Sequence, residues 1–341
     1  MSPRTLYRKQ NLVSDGNTPE YDWAGYAFDT RQVHAGEYDD LNAGARVSPI
    51  AMTAGYRFDS FEDAQGRFSG DADGLIYSRQ RNPSGAVAEK RIASLEGGTE
   101  AIVVSSGQAA ITSALLALAQ SGERIVSTAS IYSGTRVLFG RSFARFGVSV
   151  DYVWDSADDT EWDRLIQPNT KAIFTETIPN PKNDIVDIAR VARVAARHGI
   201  PLVVDNTIAS PYLIRPIEHG AAVVVHSSTK FLSGHGAGLS GAIVDGGTFD
   251  WAASERAYPL LTEPPASGGR SLLERYGRTG YARLAREAVV NDIGPSLSPF
   301  NSFLLHQGIE TLSLRMERHL DSSVTIATWL EQHSKVESVD F

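Results

Sequence analysis

The 341-residue sequence contains no cysteine, which excludes disulfide cross-links, thiolate nucleophiles and thiolate-ligated metals together. No apolar run reaches the ~20 residues that a membrane-spanning helix needs, and the N-terminal stretch MSPRTLYRKQNLVSDGNTPEYDW lacks the apolar core of a secretory signal. Positive charge is also short. Lysine and arginine number 32 against 40 acidic residues, for a net charge of −8. That balance speaks against a nucleic acid or an anionic membrane as partner, but leaves room for a local basic pocket that takes a phosphate. What remains is ordinary for a soluble globular protein, with 42% hydrophobic and 21% charged residues. The length permits a large core and more than one domain. A cytoplasmic enzyme is the expectation.

Residues 1–80 show little sustained periodicity and read as an extended arm with short helices. From about Glu89 the text alternates. Ala88–Leu95 reads as helix closed by Gly97-Gly98, Ala101–Val104 as strand, and Ala109–Ala119 as helix. Strands are expected at Arg124–Ser127, Val148–Val153, Lys171–Glu176, Pro201–Asp205 and Ala221–Val225, with helices at Thr135–Phe146, near Trp162 and at Ile185–His198. Short valine-rich runs alternating with helices of roughly 10–15 residues indicate an α/β fold with a mainly parallel sheet covered on both faces. Two further helices are expected at Glu310–His319 and Ser322–His333. The organisation is thus an arm over 1–80, an α/β domain over 81–290, and the start of a C-terminal domain over 291–341.

In such sheets ligands sit beyond the carboxyl ends of the strands, and four groups fall there. Ser106-Gly107-Gln108 opens a helix, where unpaired N–H groups can hold a phosphate. Tyr132 follows a strand and can stack on a flat ring. Asp205 ends a strand and, facing a ring nitrogen, would keep it protonated. Lys230 follows Ser227 and Thr229, hydroxyls that can seat a phosphate while the amine bonds an aldehyde. Singly, each has a plainer reading: a helix cap, core packing, a turn cap, a surface lysine. Jointly they are the requirements of pyridoxal phosphate. His219, His226 and His235 lack metal-ligand spacing and read as structural or supporting. Arg190, Arg193 and Arg197, like Arg315 to Arg318, read as solvated helix faces, and the G-x-G within Ser233–Gly238 lacks a strand–helix context for a dinucleotide.

Several motifs then occur in order: Tyr77-Ser78-Arg79, Asn82-Pro83-Ser84, Leu95-Glu96-Gly97-Gly98, Ser106-Gly107-Gln108-Ala109-Ala110, Val204-Asp205-Asn206-Thr207 and His226-Ser227-Ser228-Thr229-Lys230. In these the chain resembles the Cys/Met-metabolism family of pyridoxal-phosphate enzymes from roughly residue 30 onward. Thr177–Lys182, Pro211–Gly220, Gly234-His235-Gly236, Val244–Trp251 and Leu297–Phe303 resemble its O-acetylhomoserine sulfhydrylase branch, as does Gln108.

The resemblance implies the aspartate-aminotransferase-like fold and γ-replacement on O-acetylhomoserine by sulfide or methanethiol. Other implied activities are those of cystathionine γ-synthase, of the γ-lyases and of O-acetylserine sulfhydrylase. It implies that Lys230 binds the cofactor aldehyde and acts as base and acid, that Asp205 meets the pyridine nitrogen, and that Tyr132 stacks on the ring. Ser106, Gly107, Gln108, Ser227 and Thr229 would bind the phosphate, and Asn180 would orient the ring or the substrate. Tyr77 and Arg79 would reach the cofactor of a neighbouring subunit, in a homodimer that pairs into a homotetramer. Two departures stand out. Ala51-Met52-Thr53-Ala54 replaces the family's Tyr and Thr residues after Pro49-Ile50. The text also stops at Phe341, before the segment in which relatives carry an arginine for the substrate carboxylate. A C-terminally incomplete chain, or a cofactor-binding subunit impaired in turnover, is expected from this.

Overall fold

The computed structural model describes residues 23–37, 46–266 and 268–341. Of the arm expected over 1–80, residues 1–22 and 38–45 lie outside the described residues. Seven strands form one sheet: β1 (Glu100–Val104), β2 (Arg124–Thr128), β3 (Ser149–Val153), β4 (Thr170–Glu176), β5 (Leu202–Asp205), β6 (Val223–His226) and β7 (Gly241–Asp245). Their order is β1-β7-β6-β5-β4-β2-β3. All neighbours are parallel except β7, which runs antiparallel to both β1 and β6.

The α/β expectation holds, and the strands show why they read as continuous apolar runs. Alternate side chains enter two separate cores, one on each face of the sheet. Val126, Ile173, Leu202, Val204, Val224 and Val244 face one core, while Ile125, Phe174, Val203, Val223, Val225 and Ile243 face the other. The first core is closed by helices Pro83–Glu96 and Ile188–Arg197, the second by helix Gly107–Leu116 and the segment Leu138–Phe143.

Local chemistry sets the helix ends. In Pro83–Glu96 the Asn82 side chain accepts from Ser84 N, proline occupies the first turn, and Gly97 closes the helix at φ 76°. The helix expected from Ile185 begins at Ile188, because the Asp187 carboxylate caps Arg190 N. The two helices expected near the end are one, Leu312–Glu331. No glycine or proline lies between His319 and Ser322 to interrupt it. Strand β7 was not visible in the sequence: only Ala242-Ile243-Val244 is apolar, flanked by glycine and aspartate.

Candidate active site

Because β4, β5 and β6 are parallel, their carboxyl ends fall at one edge of the sheet. They deliver Glu176, Asp205 and His226 there, and Glu176 is paired directly with Asp205 in the strand register. Asp205 is buried, and its Oδ1 accepts from both the backbone N (2.9 Å) and the hydroxyl of Thr207. The same Thr207 oxygen accepts from Ser227 N at 2.7 Å. Thr207 therefore joins the end of β5 to the loop after β6. No role for Thr207 was expected from the sequence, although a threonine two residues after an aspartate is a recognisable turn signal.

The circuit continues through Gly107. A Cβ on this residue would stand 2.5 Å from Ser227 Cβ and 2.8 Å from Ser227 Cα, so only glycine allows the helix to approach the loop this closely. Gly107 opens the ten-residue helix to Leu116, whose cap is Ser106, with Oγ accepting from Ala109 N at 3.1 Å. The next residue, Gln108, has its Nε2 near Gly134, and the Tyr132 ring lies against the same glycine. Tyr132 is 46% exposed, a ring left uncovered beside buried polar groups. Its backbone N donates to Glu176 Oε1 at 2.8 Å, which closes the ring of contacts back to Asp205. The Asn180 backbone also donates to the Glu176 carboxylate.

Lys230 is exposed on the loop after β6, its backbone N donating to Ser227 O at 3.0 Å. The Thr229 hydroxyl is engaged by Ser240: it accepts from Ser240 N and donates to Ser240 O, both at 3.0 Å. Its single proton is thereby used, and its place in this arrangement is to hold the loop. On the far side, Arg315 donates to Phe231 O at 2.7 Å, Gly308 O at 2.7 Å and Thr311 Oγ1 at 3.1 Å. The expectation of a solvated Arg315 is corrected here: carbonyls at the turn after Lys230 and at the end of the preceding helix need donors, and Arg315 supplies them. Tyr77 and Arg79 lie outside the circuit. Tyr77 is exposed, and Arg79 donates to the backbone and side chain of Asn291.

The electrostatics of this edge are unusual for two adjacent acids. Burial pushes the Glu176 carboxyl up to about 8, with the Asp205 charge adding to the shift and the Tyr132 and Asn180 amides opposing it. Asp205 is likewise raised by burial, against the Thr207 hydrogen bond and the charge of His226. Two such carboxyls cannot both ionise cheaply unless a cation arrives. Since the folded pKa of Glu176 lies above its unfolded value, the folded state holds the extra proton. Stability then falls as pH rises from about 4.5 to about 8, by up to about 1.4 kcal/mol per pH unit for one proton. Urea unfolding of cofactor-free protein between about pH 5 and pH 8.5 should show this slope. Glu176→Gln should reduce it, because glutamine still accepts the two amides but cannot ionise, leaving the contribution of buried Asp245, raised to about 7. An unchanged slope in the variant would contradict the shift.

Residues 29–341 match one family model, described as Cys/Met metabolism PLP-dependent enzyme. The chain belongs to that family. It is 43% identical to an O-acetyl-L-homoserine sulfhydrylase of Corynebacterium glutamicum over 95% of this chain and 75% of that protein. It is also 43% identical to a homocysteine synthase of Schizosaccharomyces pombe, over 92% of this chain and 73% of that one. Among solved structures, a putative O-acetylhomoserine (thiol)-lyase from Campylobacter jejuni carrying a pyridoxyl-lysine monophosphate superposes with a TM-score of 0.87 at 33% identity. The match covers 93% of this chain and 76% of that one. The cofactor of this Cys/Met-metabolism enzyme is pyridoxal phosphate, and the gathered residues suit it. Two raised carboxyls await a cation, a helix N-terminus with no room for a Cβ awaits an anion, and an uncovered aromatic ring stands beside buried polar groups at the same edge as an exposed lysine.

Proposed function

We propose that the chain catalyses γ-replacement on O-acetyl-L-homoserine: sulfide displaces acetate to give homocysteine, or methanethiol displaces it to give methionine. The closed circuit Asp205–Thr207–Ser227–Gly107–Gln108–Tyr132–Glu176, with Lys230 on its rim, is the observation that carries this reading. The names borne by the sulfhydrylase relatives support the choice of substrate.

Pyridoxal phosphate supplies an aldehyde that captures the substrate amine and a ring that accepts electrons. The chain's own residues do the rest. Lys230 holds the cofactor aldehyde and then moves protons at Cα and Cβ of the substrate as general base and acid. An amine suits this shuttle because it can both take and return a proton. Asp205 faces the pyridine nitrogen, and Tyr132 covers the ring. Ser106, Gly107, Gln108 and Ser227 seat the phosphate at the helix N-terminus. Asn180, tied to Glu176 through its backbone, orients the ring or the substrate carboxylate. Tyr77 and Arg79 serve the cofactor of a second copy of the chain, so the working unit is a dimer.

The deciding experiment supplies O-acetylhomoserine with sulfide and, separately, with cysteine. Homocysteine and acetate in equal amounts are expected with sulfide. If 2-oxobutanoate and ammonia dominate, the enzyme eliminates rather than replaces, and if cystathionine forms faster than homocysteine, the acceptor is wrong.

A further inference from the structure

The motif Asn82-Pro83-Ser84 is left unused by the functional reading. Asn82 has two tasks in the structure, one for each end of its amide. Its Oδ1 accepts from Ser84 N at 2.9 Å and caps helix Pro83–Glu96. Its Nδ2 donates toward Ala51 O at 3.0 Å, Ser78 Oγ at 3.0 Å and Tyr56 OH at 3.1 Å. A cap needs only the oxygen, and serine or aspartate serves there equally well. The nitrogen calls for a reason of its own.

Its acceptors lie in a strap that has little else to hold it. Of residues 46–82 only Asn82 is buried, so apolar packing does little to place this stretch and polar contacts do most. Two backbone bonds, Tyr56 N to Ile76 O at 3.1 Å and Ser78 N to Ala54 O at 2.8 Å, set residues 54–56 beside 76–78. The Ser78 hydroxyl donates to Thr53 O, which leaves Ser78 Oγ to accept from Tyr56 OH at 3.3 Å and from Asn82. Ser84 clamps the start of the strap, its Oγ donating to Pro49 O at 3.2 Å and accepting from Ala51 N at 2.9 Å. Asn82 thus joins both runs of the strap to the start of a well-packed helix.

Tyr77 and Arg79 flank Ser78 on the second run, and both are exposed. The Arg79 guanidinium lies 5.6 Å from the centre of the Tyr77 ring, a distance at which cation and ring attract. Arg79 Nη1 donates to the backbone O of Asn291 and, at 2.5 Å, to its Oδ1. The Nε–Nη2 edge has no hydrogen-bond partner among the described residues, and such an edge can grip a phosphate through two parallel bonds. Taking Tyr77 and Arg79 as the residues that serve the cofactor of a second copy, as proposed above, we infer that Asn82 is a positioning residue for that cofactor's phosphate. Its amide nitrogen fixes Ser78, and with it the two neighbours that reach across.

The test separates this role from the helix cap. Cofactor-free wild type, Asn82→Ser and the paired variant Tyr77→Phe/Arg79→Ala are titrated with pyridoxal phosphate and with pyridoxal, which keeps the aldehyde and lacks the phosphate. Binding is read by tryptophan fluorescence, and thermal unfolding checks that each variant is folded. Serine keeps the cap, adds no charge and removes the nitrogen. The paired variant should bind pyridoxal phosphate about tenfold or more weakly, as expected of a lost charge-assisted hydrogen bond, and pyridoxal nearly as wild type does. Asn82→Ser should show the same selective loss at about three- to tenfold, the range of a neutral hydrogen bond. Added to the paired variant, Asn82→Ser should weaken binding no further, because it acts through those two residues. If Asn82→Ser weakens both ligands alike, weakens neither, or adds its own loss to the paired variant, the inference is overturned and the nitrogen serves only the fold or the pairing of copies. If the paired variant keeps the wild-type preference for pyridoxal phosphate, the assignment of Tyr77 and Arg79 fails first and the inference falls with it. Should Asn82→Ser not fold, Ser78→Ala decides between the same outcomes.

Discussion

Replacing Lys230 with alanine should remove the visible absorption band of the purified protein and lower turnover of O-acetylhomoserine by about four orders of magnitude, the upper range for losing a positioned acid–base group. Lys230 has two duties in the proposed reaction, holding the aldehyde and moving protons, and no neighbour on the loop can take over either. Ser227 and Thr229 carry hydroxyls that are far weaker bases, and the Thr229 proton is already given to Ser240 O. The fold should survive, because Lys230 is exposed and its backbone bonds to Ser227 and Gly234 do not depend on the side chain. Unchanged circular dichroism with a lost band is the expected pair of results. A lysine-independent band in Lys230→Ala would refute the assignment of this residue.

The largest expected effect on stability lies well away from the lysine, at Arg91. This guanidinium is completely buried. Its Nε donates to Ala35 O at 3.0 Å and one terminal nitrogen to Val33 O at 2.6 Å, while ion pairs run to Glu37 at 3.5 Å and Glu310 at 3.4 Å. One side chain thereby ties helix Pro83–Glu96 to the end of helix Phe28–His34 and the residues after it, and to Glu310 at the end of helix Pro299–Ile309. Arg91→Met keeps the apolar stem but removes the donor of two carbonyls and a charge partner of both Glu310 and Glu37, the latter keeping only His34 and Arg46 beside its other oxygen. Removing one partner of a buried ion pair costs about 3–5 kcal/mol. Urea unfolding should show a loss of that size, with the visible band retained in the fraction that stays folded. A loss below about 1 kcal/mol, the range of an exposed ion pair, would mean that the carboxylates find water readily and that the clasp matters little.

Much of this was legible in the sequence, for identifiable reasons. The parallel strands were readable because both of their faces are buried, so that polar–apolar alternation is absent and Val203-Val204 or Val223-Val224-Val225 appear as unbroken runs. Gly107, Asp205 and Lys230 were singled out because a strand end is where an α/β sheet keeps its ligand groups. The same rule applied to Glu176, which ends β4 as Asp205 ends β5, but an acid with no obvious ligand partner drew no notice. Thr207 and Arg315 were missed for a different reason. Their roles are set by which backbone carbonyl or amide lies across a gap of many residues, and no local pattern encodes that. Strand β7 escaped because three apolar residues between a glycine and an aspartate do not outweigh the turn signal around them.

The orientation of β7 bears on how Lys230, in its proposed role, can move. An antiparallel neighbour needs no crossover helix, so the chain from β6 returns directly to β7 through the loop that holds Lys230. The loop's two ends are latched by Thr229 and Ser240, just beyond the His226–Ala242 pair of the sheet. Lys230 therefore rides on the open end of a hairpin rather than on the first turn of a helix. A side chain so mounted can swing between two carbon atoms without dragging a packed element behind it. Its reach is set by the latch at its base, which makes Ser240, a residue with no chemistry of its own, a place where the tempo of the enzyme could be tuned.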